Sequence, residues 1–241
     1  MQHRHPVGSG PGSVIDPDAA RLLGRDAALP PVPRDALTLP ALRRRFARPP
    51  AWQPEIFEDS IRLNDLALRA AAVLVPIVAR PEGLRLLLTR RNADLHEHAG
   101  QISFPGGRRD RHDLHPAATA LREAHEEIGL SPRGVELLGD LPVYRTASRY
   151  SVTPVVALLP HAEGWVAHPA EVSEVFEVPL DFLMNPAHHE QREWIAAVSE
   201  TNRTVVRRRF LSIPYVEGDR RYVIWGATAA MIRNLYRLLI A

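Results

Sequence analysis

Residues 69–91 constrain the fold most. "RAAAVLVPIVAR" (69–80) and "LRLLLTRR" (84–91) are apolar, β-type runs, and the turn residues "PEG" (81–83) separate them. Such a pair predicts two strands joined by a turn. A loop with His96, His98 and Gly100 follows and ends in "FPGG" (104–107). Proline and paired glycines forbid regular structure there and let backbone groups come close to a ligand. From Pro116 to Ile128 the period becomes helical, with Asp113 as the expected N-cap and Gly129 as the stop. Further strands are expected at 135–145, 152–160 and 174–180, then a hairpin within 205–225 turning at "EGD", then a closing helix over 226–241. Strands dominate and two helices are substantial, which predicts a mixed α/β domain.

That domain is expected to span 65–241, behind an N-terminal extension over 1–64. Ten of the 22 prolines fall in the first 54 residues. Residues 1–35 lack periodicity and read as a loose tail, and the extension as a whole is expected to be partly disordered. Residues 35–50 predict a short helix, with Arg43, Arg44 and Arg45 on a solvated face. The chain of 241 residues has no cysteine, which excludes disulfides and thiolate chemistry. It has no apolar run long enough to span a membrane and no apolar N-terminal core of a secretory signal, so a cytoplasmic location is expected. All 30 basic residues are arginine, yet the net charge is only +2. Individual arginines are therefore read as candidate phosphate partners, and a nucleic-acid surface is not expected.

The stretch "REAHEEIGL" (122–130) breaks a local rule. A helix C-terminus carries partial negative charge, yet Glu126 and Glu127 occupy the last turn, with Glu123 one turn earlier. Glu123 and Glu127 also stand four apart, where like charges repel. At roughly 100° per residue the three carboxylates share about one third of the helix circumference. By itself the nonapeptide also fits a solvated acidic face, partly neutralised by Arg122 pairing with Glu126. Placed after a strand and a glycine-rich loop, the cluster suits a hard cation, Mg²⁺ or Mn²⁺, that completes its shell with substrate phosphate. Such a site neutralises phosphate charge and orients water for attack on phosphorus. The Gly106 and Gly107 backbone offers a further carbonyl ligand. The pairs His96/His98, His112/His115 and His188/His189 have ligand-like spacing but arise readily among 11 histidines. Trp165, Trp194 and Trp225 read as core or interface residues.

The segment "GG…ALREAHEEIGL" resembles the box of the Nudix hydrolases, metal-dependent enzymes that cleave a nucleoside diphosphate linked to another group. Arg122, Glu123, Glu126, Glu127, Gly129 and Leu130 fall in register. The gap from Gly107 to Arg122 is one residue longer than usual, the upstream Glu is missing (with Asp110 and Asp113 nearby), and Ala124 replaces a bulky apolar residue. Upstream, "LLTRRNADLHEHAGQISFPGG" (87–107) resembles the signature of the coenzyme A diphosphatase branch: Leu87, Leu88, Thr89, Arg91, Gly100 and Phe104 to Gly107 match. Asn92 and His96 depart from it.

The resemblance implies an α/β/α sandwich around a mixed sheet. It implies that Glu123 and Glu127 are the main metal ligands, with Glu126 as a ligand or base. Arg122 is implied to hold the glutamates, and the Gly107 carbonyl to reach the metal. Arg91, Gly100, Phe104, Gly106 and Gly107 become substrate-binding candidates, with Arg90, Arg145 and Arg149 behind Arg91. The general base stays open among Glu126, Glu171 and Glu174. The implied reaction is hydrolysis of coenzyme A, or a derivative, to 3′,5′-ADP and 4′-phosphopantetheine, with Mg²⁺ or Mn²⁺. Its partner is a small molecule, and a homodimer is compatible with the sequence. Two other readings are kept: a hydrolase of a different diphosphate, and a Nudix-type module that binds nucleotide or RNA without cleaving it.

Overall fold

A computed structural model describes residues 15–56, 68–93, 100–159, 164–197 and 205–241. The two apolar runs form strands β2 (Arg69–Arg80) and β3 (Gly83–Arg91), numbered after a first strand, β1 (Arg21–Arg25). β4 (Ile102–Ser103) and β5 (Gly106–Arg108) follow, then helix α2 (Pro116–Ile128), itself preceded by α1 (Leu39–Ala47). β6 (Glu136–Asp140), β7 (Tyr144–Arg145), β8 (Tyr150–Leu159) and β9 (Val172–Pro179) complete one sheet. Its central order is β4-β3-β2-β8-β6, with β5 on β2, β7 on β8 and β9 on β3. β2 and β8 run parallel, from Arg69 beside Tyr150 to Val78 beside Leu159, and the other pairs are antiparallel. The sheet is therefore mixed, as expected.

Both faces of this sheet are covered, which is why its strands read as continuous apolar runs. Leu74, Val78, Leu87, Val155 and Ala157 pack against Ala120, Ala124 and Ile128 of α2. The alternate residues Val75, Ile77, Leu86, Leu88, Val156 and Leu158 face a second core. Two prolines sit inside the central pair without breaking it. The Leu74 N–H donates to Pro105 O on the β5 side of β2. Two residues on, Pro76 faces the same way, between the stretches paired with β5 (71–73) and β3 (77–80). Its missing N–H costs no ladder bond. Pro154 lies in the matching gap on β8, between the β7 and β6 pairings.

The second core is closed by a smaller sheet of order β1-β10-β11-β12 and by the C-terminal helix. Its strands are β10 (Glu190–Ala197), β11 (Val205–Glu217) and β12 (Arg220–Trp225); the short α3 (Leu180–Leu183) leads into it and α4 (Gly226–Ile240) ends the chain. β11 and β12 form the expected hairpin, turning at Gly218 with φ +57°.

The loose tail expected over 1–35 needs correction for residues 15–35; residues 1–14 lie outside the described residues. Arg21–Arg25 pair antiparallel with Glu190–Glu193 of β10, and Val32 and Leu42 are buried in the second core. Thr38 caps α1 by accepting the Ala41 N–H. Arg43 stays on the exposed face, as expected, and bonds both oxygens of Glu136 there. No helix among the described residues is long and apolar enough to cross a membrane.

Candidate active site

α2 carries the site because its ends are well defined. Gly129 at φ +68° stops it, as expected. Its start differs: His115, not Asp113, is the N-cap, and its Nδ1 accepts the Ala118 N–H at 3.1 Å. Asp113 has another task. Its carboxylate takes Arg122 Nη2 at 3.0 Å and Nε at 3.3 Å, and this guanidinium holds Asp113 well below the usual carboxylate range, at about 2. Arg122 also donates to Arg108 O at 3.1 Å, and reaches Glu123 Oε1 and Glu126 Oε2 at 2.9 Å each. One arginine thus ties the acidic turn to the strand edge.

The three glutamates face different surroundings. Glu127 is 3% exposed. Its Oε2 accepts the Gly106 N–H at 3.3 Å, and Arg91 Nη1 lies 3.9 Å from Oε1. Burial pushes its pKa up to about 8, against the pull of those two partners. Glu123 lies directly on Gly107, where a Cβ would meet its carboxylate at about 2.5 Å. Burial raises its pKa as well, against Arg122. Glu126 is half-exposed and turned toward Arg122. The paired glycines are explained by these contacts. A Cβ on Gly106 would strike the β2 backbone at Ala72 and Val73, and one on Gly107 would strike Glu123.

Of the outside acids, Glu171 is brought in and Glu174 is not. The negative charge of Glu171 raises the pKa of both Glu123 and Glu127. Its loop is anchored by Asn92, whose N–H donates to Glu171 O and whose side chain donates to Pro169 O, both at 2.8 Å. Asn92, a departure from the branch signature, thus has a positioning task. Glu174 is engaged by Arg90, Arg220 and the Tyr222 hydroxyl on the face away from α2, which removes it and Arg90 from the site. Arg149 takes a turn conformation at φ +66° before β8.

Phe104 is buried in the second core and, with Arg91 and Gly106, lines a cavity of about 320 Å³. Gly100, at φ +70°, stands exposed at the end of a loop. His96 and His98 lie outside the described residues. His112 accepts from Arg111, while His188 and His189 bond main-chain carbonyls. Among the described residues no three His, Cys, Asp or Glu groups are gathered as a ready ligand set. The carboxylates that are present suit a hard cation. All donors are oxygen, and the buried Glu127 has one opposing charge, at 3.9 Å.

Comparison with known proteins places this geometry. The NUDIX domain model matches residues 68–198, from β2 into the end of β10. The chain belongs to the Nudix hydrolase family. This Nudix hydrolase is 38% identical over 181 residues to a protein of Escherichia coli strain K12 / DH10B named "Uncharacterized Nudix hydrolase NudL", covering 75% of this chain and 88% of that one. A Pectobacterium atrosepticum protein of the same name is 41% identical over 167 residues, covering 69% and 81%. Among solved structures it resembles the Nudix hydrolase RenU from M. Smegmatis, with TM-score 0.42 and 26% identity over 50% of this chain and 76% of that one. It also resembles the Shewanella oneidensis NrtR Nudix domain complexed with ADP ribose, with TM-score 0.38 and 25% identity over 48% and 75%. Family membership accounts for the box. Sequence reasoning missed the Arg122–Asp113 clamp, because aspartate before a helix also signals a cap. It also missed the cavity wall supplied by β11 and β12, which no local signal connects to the box.

Proposed function

We propose that this Nudix hydrolase cleaves the diphosphate of coenzyme A, or a derivative of it, to 3′,5′-ADP and 4′-phosphopantetheine by attack of water on phosphorus. One observation carries the reading: Arg91, which matches the coenzyme A signature, stands 3.9 Å from Glu127, the most buried glutamate of the box. Two motifs far apart in their sequence logic meet at one carboxylate.

In this reading Glu123 and Glu127 hold Mg²⁺ or Mn²⁺, with the Gly107 carbonyl and the exposed Glu126 available to complete the set. The bound cation would neutralise the diphosphate and lower the pKa of water. The chain's own residues do the rest. Arg122, fixed by Asp113, aims Glu123 and Glu126 from one side. Arg91 faces Glu127 from the other and offers a guanidinium to a phosphate oxygen. Gly106 and Gly107 let the substrate approach β5 without a side chain between. Glu171, whose charge acts on Glu123 and Glu127, is the carboxylate outside the box that we assign to take a proton from the attacking water, with Glu126 as its rival. The setting proposed is cytoplasmic.

The test is product analysis of the purified protein with coenzyme A and Mg²⁺ or Mn²⁺, beside Glu127→Gln and a panel of nucleoside diphosphate derivatives. Appearance of 3′,5′-ADP and 4′-phosphopantetheine is expected. Glu127→Gln should lose at least ~10³-fold in kcat, about 4 kcal/mol of barrier. Cleavage of another diphosphate with coenzyme A untouched would overturn the substrate. No cleavage with either metal would favour a binding module.

A further inference from the structure

The cavity beside Gly106 runs away from the carboxylates and into chain that the NUDIX match does not cover. Arg91 and Gly106, both partners of Glu127, are among its lining residues. Val73, Phe104 and Tyr144 of the large-sheet side form one wall; Phe210, Trp225 and Ala227, from the C-terminal hairpin and the start of α4, form the other. A cavity of about 320 Å³ with mostly apolar walls and a few polar groups has the build of a small-molecule pocket.

Its polar groups narrow the ligand. The Phe210 and Trp225 rings stand 5.2 Å apart at 58°, a tilted aromatic corner. Arg208 lines the cavity from the exposed stretch 207–209 of β11 and has no ion-pair partner among the described residues, whereas its neighbour Arg209 pairs with Glu193 at 3.2 Å. Ser148, from the β7–β8 turn, adds a hydroxyl. Aromatic faces suit a flat heterocycle, and an uncommitted guanidinium suits a phosphate on its sugar. A flexible saturated chain would call for neither.

We propose that this cavity holds the nucleobase end of the diphosphate substrate, with Trp225 and Phe210 as its stacking wall and Arg208 as partner of a phosphate on the ribose. This rests on the diphosphohydrolase reading above; the stacking wall does not require coenzyme A, whereas the Arg208 contact requires a substrate with a second phosphate on its ribose. It gives specificity to residues 205–228, outside the catalytic box, and takes Trp225 out of the purely structural class.

The experiment measures binding of 3′,5′-ADP, 5′-AMP and 4′-phosphopantetheine, and kinetics on whichever diphosphate is cleaved, for wild type, Trp225→Leu, Trp225→Phe and Arg208→Gln. Trp225→Leu should weaken both nucleotides about 10- to 100-fold and raise KM, with 4′-phosphopantetheine binding unmoved. Trp225→Phe should restore most of it. Arg208→Gln, an exposed change that tests the site even if Trp225→Leu unfolds, should remove roughly tenfold of the preference for 3′,5′-ADP over 5′-AMP. If Trp225→Leu weakens 4′-phosphopantetheine and spares the nucleotides, the cavity holds the other end and the proposal falls. An Arg208→Gln protein with unchanged preference removes the phosphate contact. If coenzyme A is not cleaved but another nucleoside diphosphate derivative is, with KM raised by Trp225→Leu, the substrate reading falls and the cavity assignment stands.

Discussion

Glu127 occupies a place where a carboxylate is expensive to ionise. Burial dominates its environment, and its pKa of about 8 records that neither the Gly106 N–H nor Arg91 offsets the lost solvation. Glutamine keeps the shape and removes the charge. Glu127→Gln, assayed in chelator, is therefore expected to melt at a higher temperature than wild type, while its activity collapses. Added Mg²⁺ or Mn²⁺ should raise the melting temperature of wild type only. Gly107→Ala tests the opposite wall. A methyl at about 2.5 Å from the Glu123 carboxylate must displace it, so kcat should fall about 10²-fold or more with a melting temperature near wild type. The glutamates were legible in the sequence because three acids at a helix C-terminus contradict the dipole. Arg122 was read as their restraint, but the residue that fixes Arg122 was not, since Asp113 carries two meanings and only the placement of Arg122 chooses between them.

At the scale of elements, α2 was readable almost to the residue. Pro116 and Gly129 punctuate it, and its buried face, Ala120, Ala124 and Ile128, has helical spacing. The helix is fastened to β5 through Arg122, whose grip on Asp113 sets the acid's pKa near 2. Such a depressed carboxylate stabilises the fold above its unfolded pKa and loses that contribution as pH falls through about 2. Asp113→Asn should cost roughly 1–2 kcal/mol in denaturant titration at neutral pH and lower kcat by loosening Arg122. β1 and β10 were not legible. β10, "EQREWIAA", looks polar, yet Glu190 and Glu193 are buried. Glu190 is held by Arg25 and Arg192, and Glu193 by Arg209. Arg192 lies in the strand, but Arg25 and Arg209 come from other strands and leave no pattern in β10 itself.

At the scale of the molecule, one buried arginine ties both ends of the chain together. Arg233 of α4, 3% exposed, bonds Glu55 at 2.7 Å, Asp26 at 3.2 Å and His189 Nδ1 at 3.0 Å. His189 Nε2 meets Leu183 O at 2.8 Å, so Nδ1 is left to accept from the guanidinium and the ring is neutral. Burial foremost, then Arg233 against the pull of the Leu183 carbonyl, pushes its pKa down to about 4. Unfolded, the ring takes its proton near pH 6.5; folded, it refuses it until about 4. This stability is present above pH 6.5 and fades as pH falls toward 4, by up to about 3 kcal/mol, in chemical denaturation followed across that window. Removing residues 1–64, where the sequence suggested a domain boundary, should strip Val32 and Leu42 from the core and leave an aggregating protein, read by light scattering and melting temperature.

β1 has a consequence for how the protein is made. Its Arg25 meets Glu190 across 165 residues. At roughly 5–20 residues per second of synthesis, the first strand waits about 10–30 s for its partner. Throughout that interval its backbone is an open edge. The nascent chain should therefore be a client of ribosome-associated holding factors until β10 has been made and closes that edge.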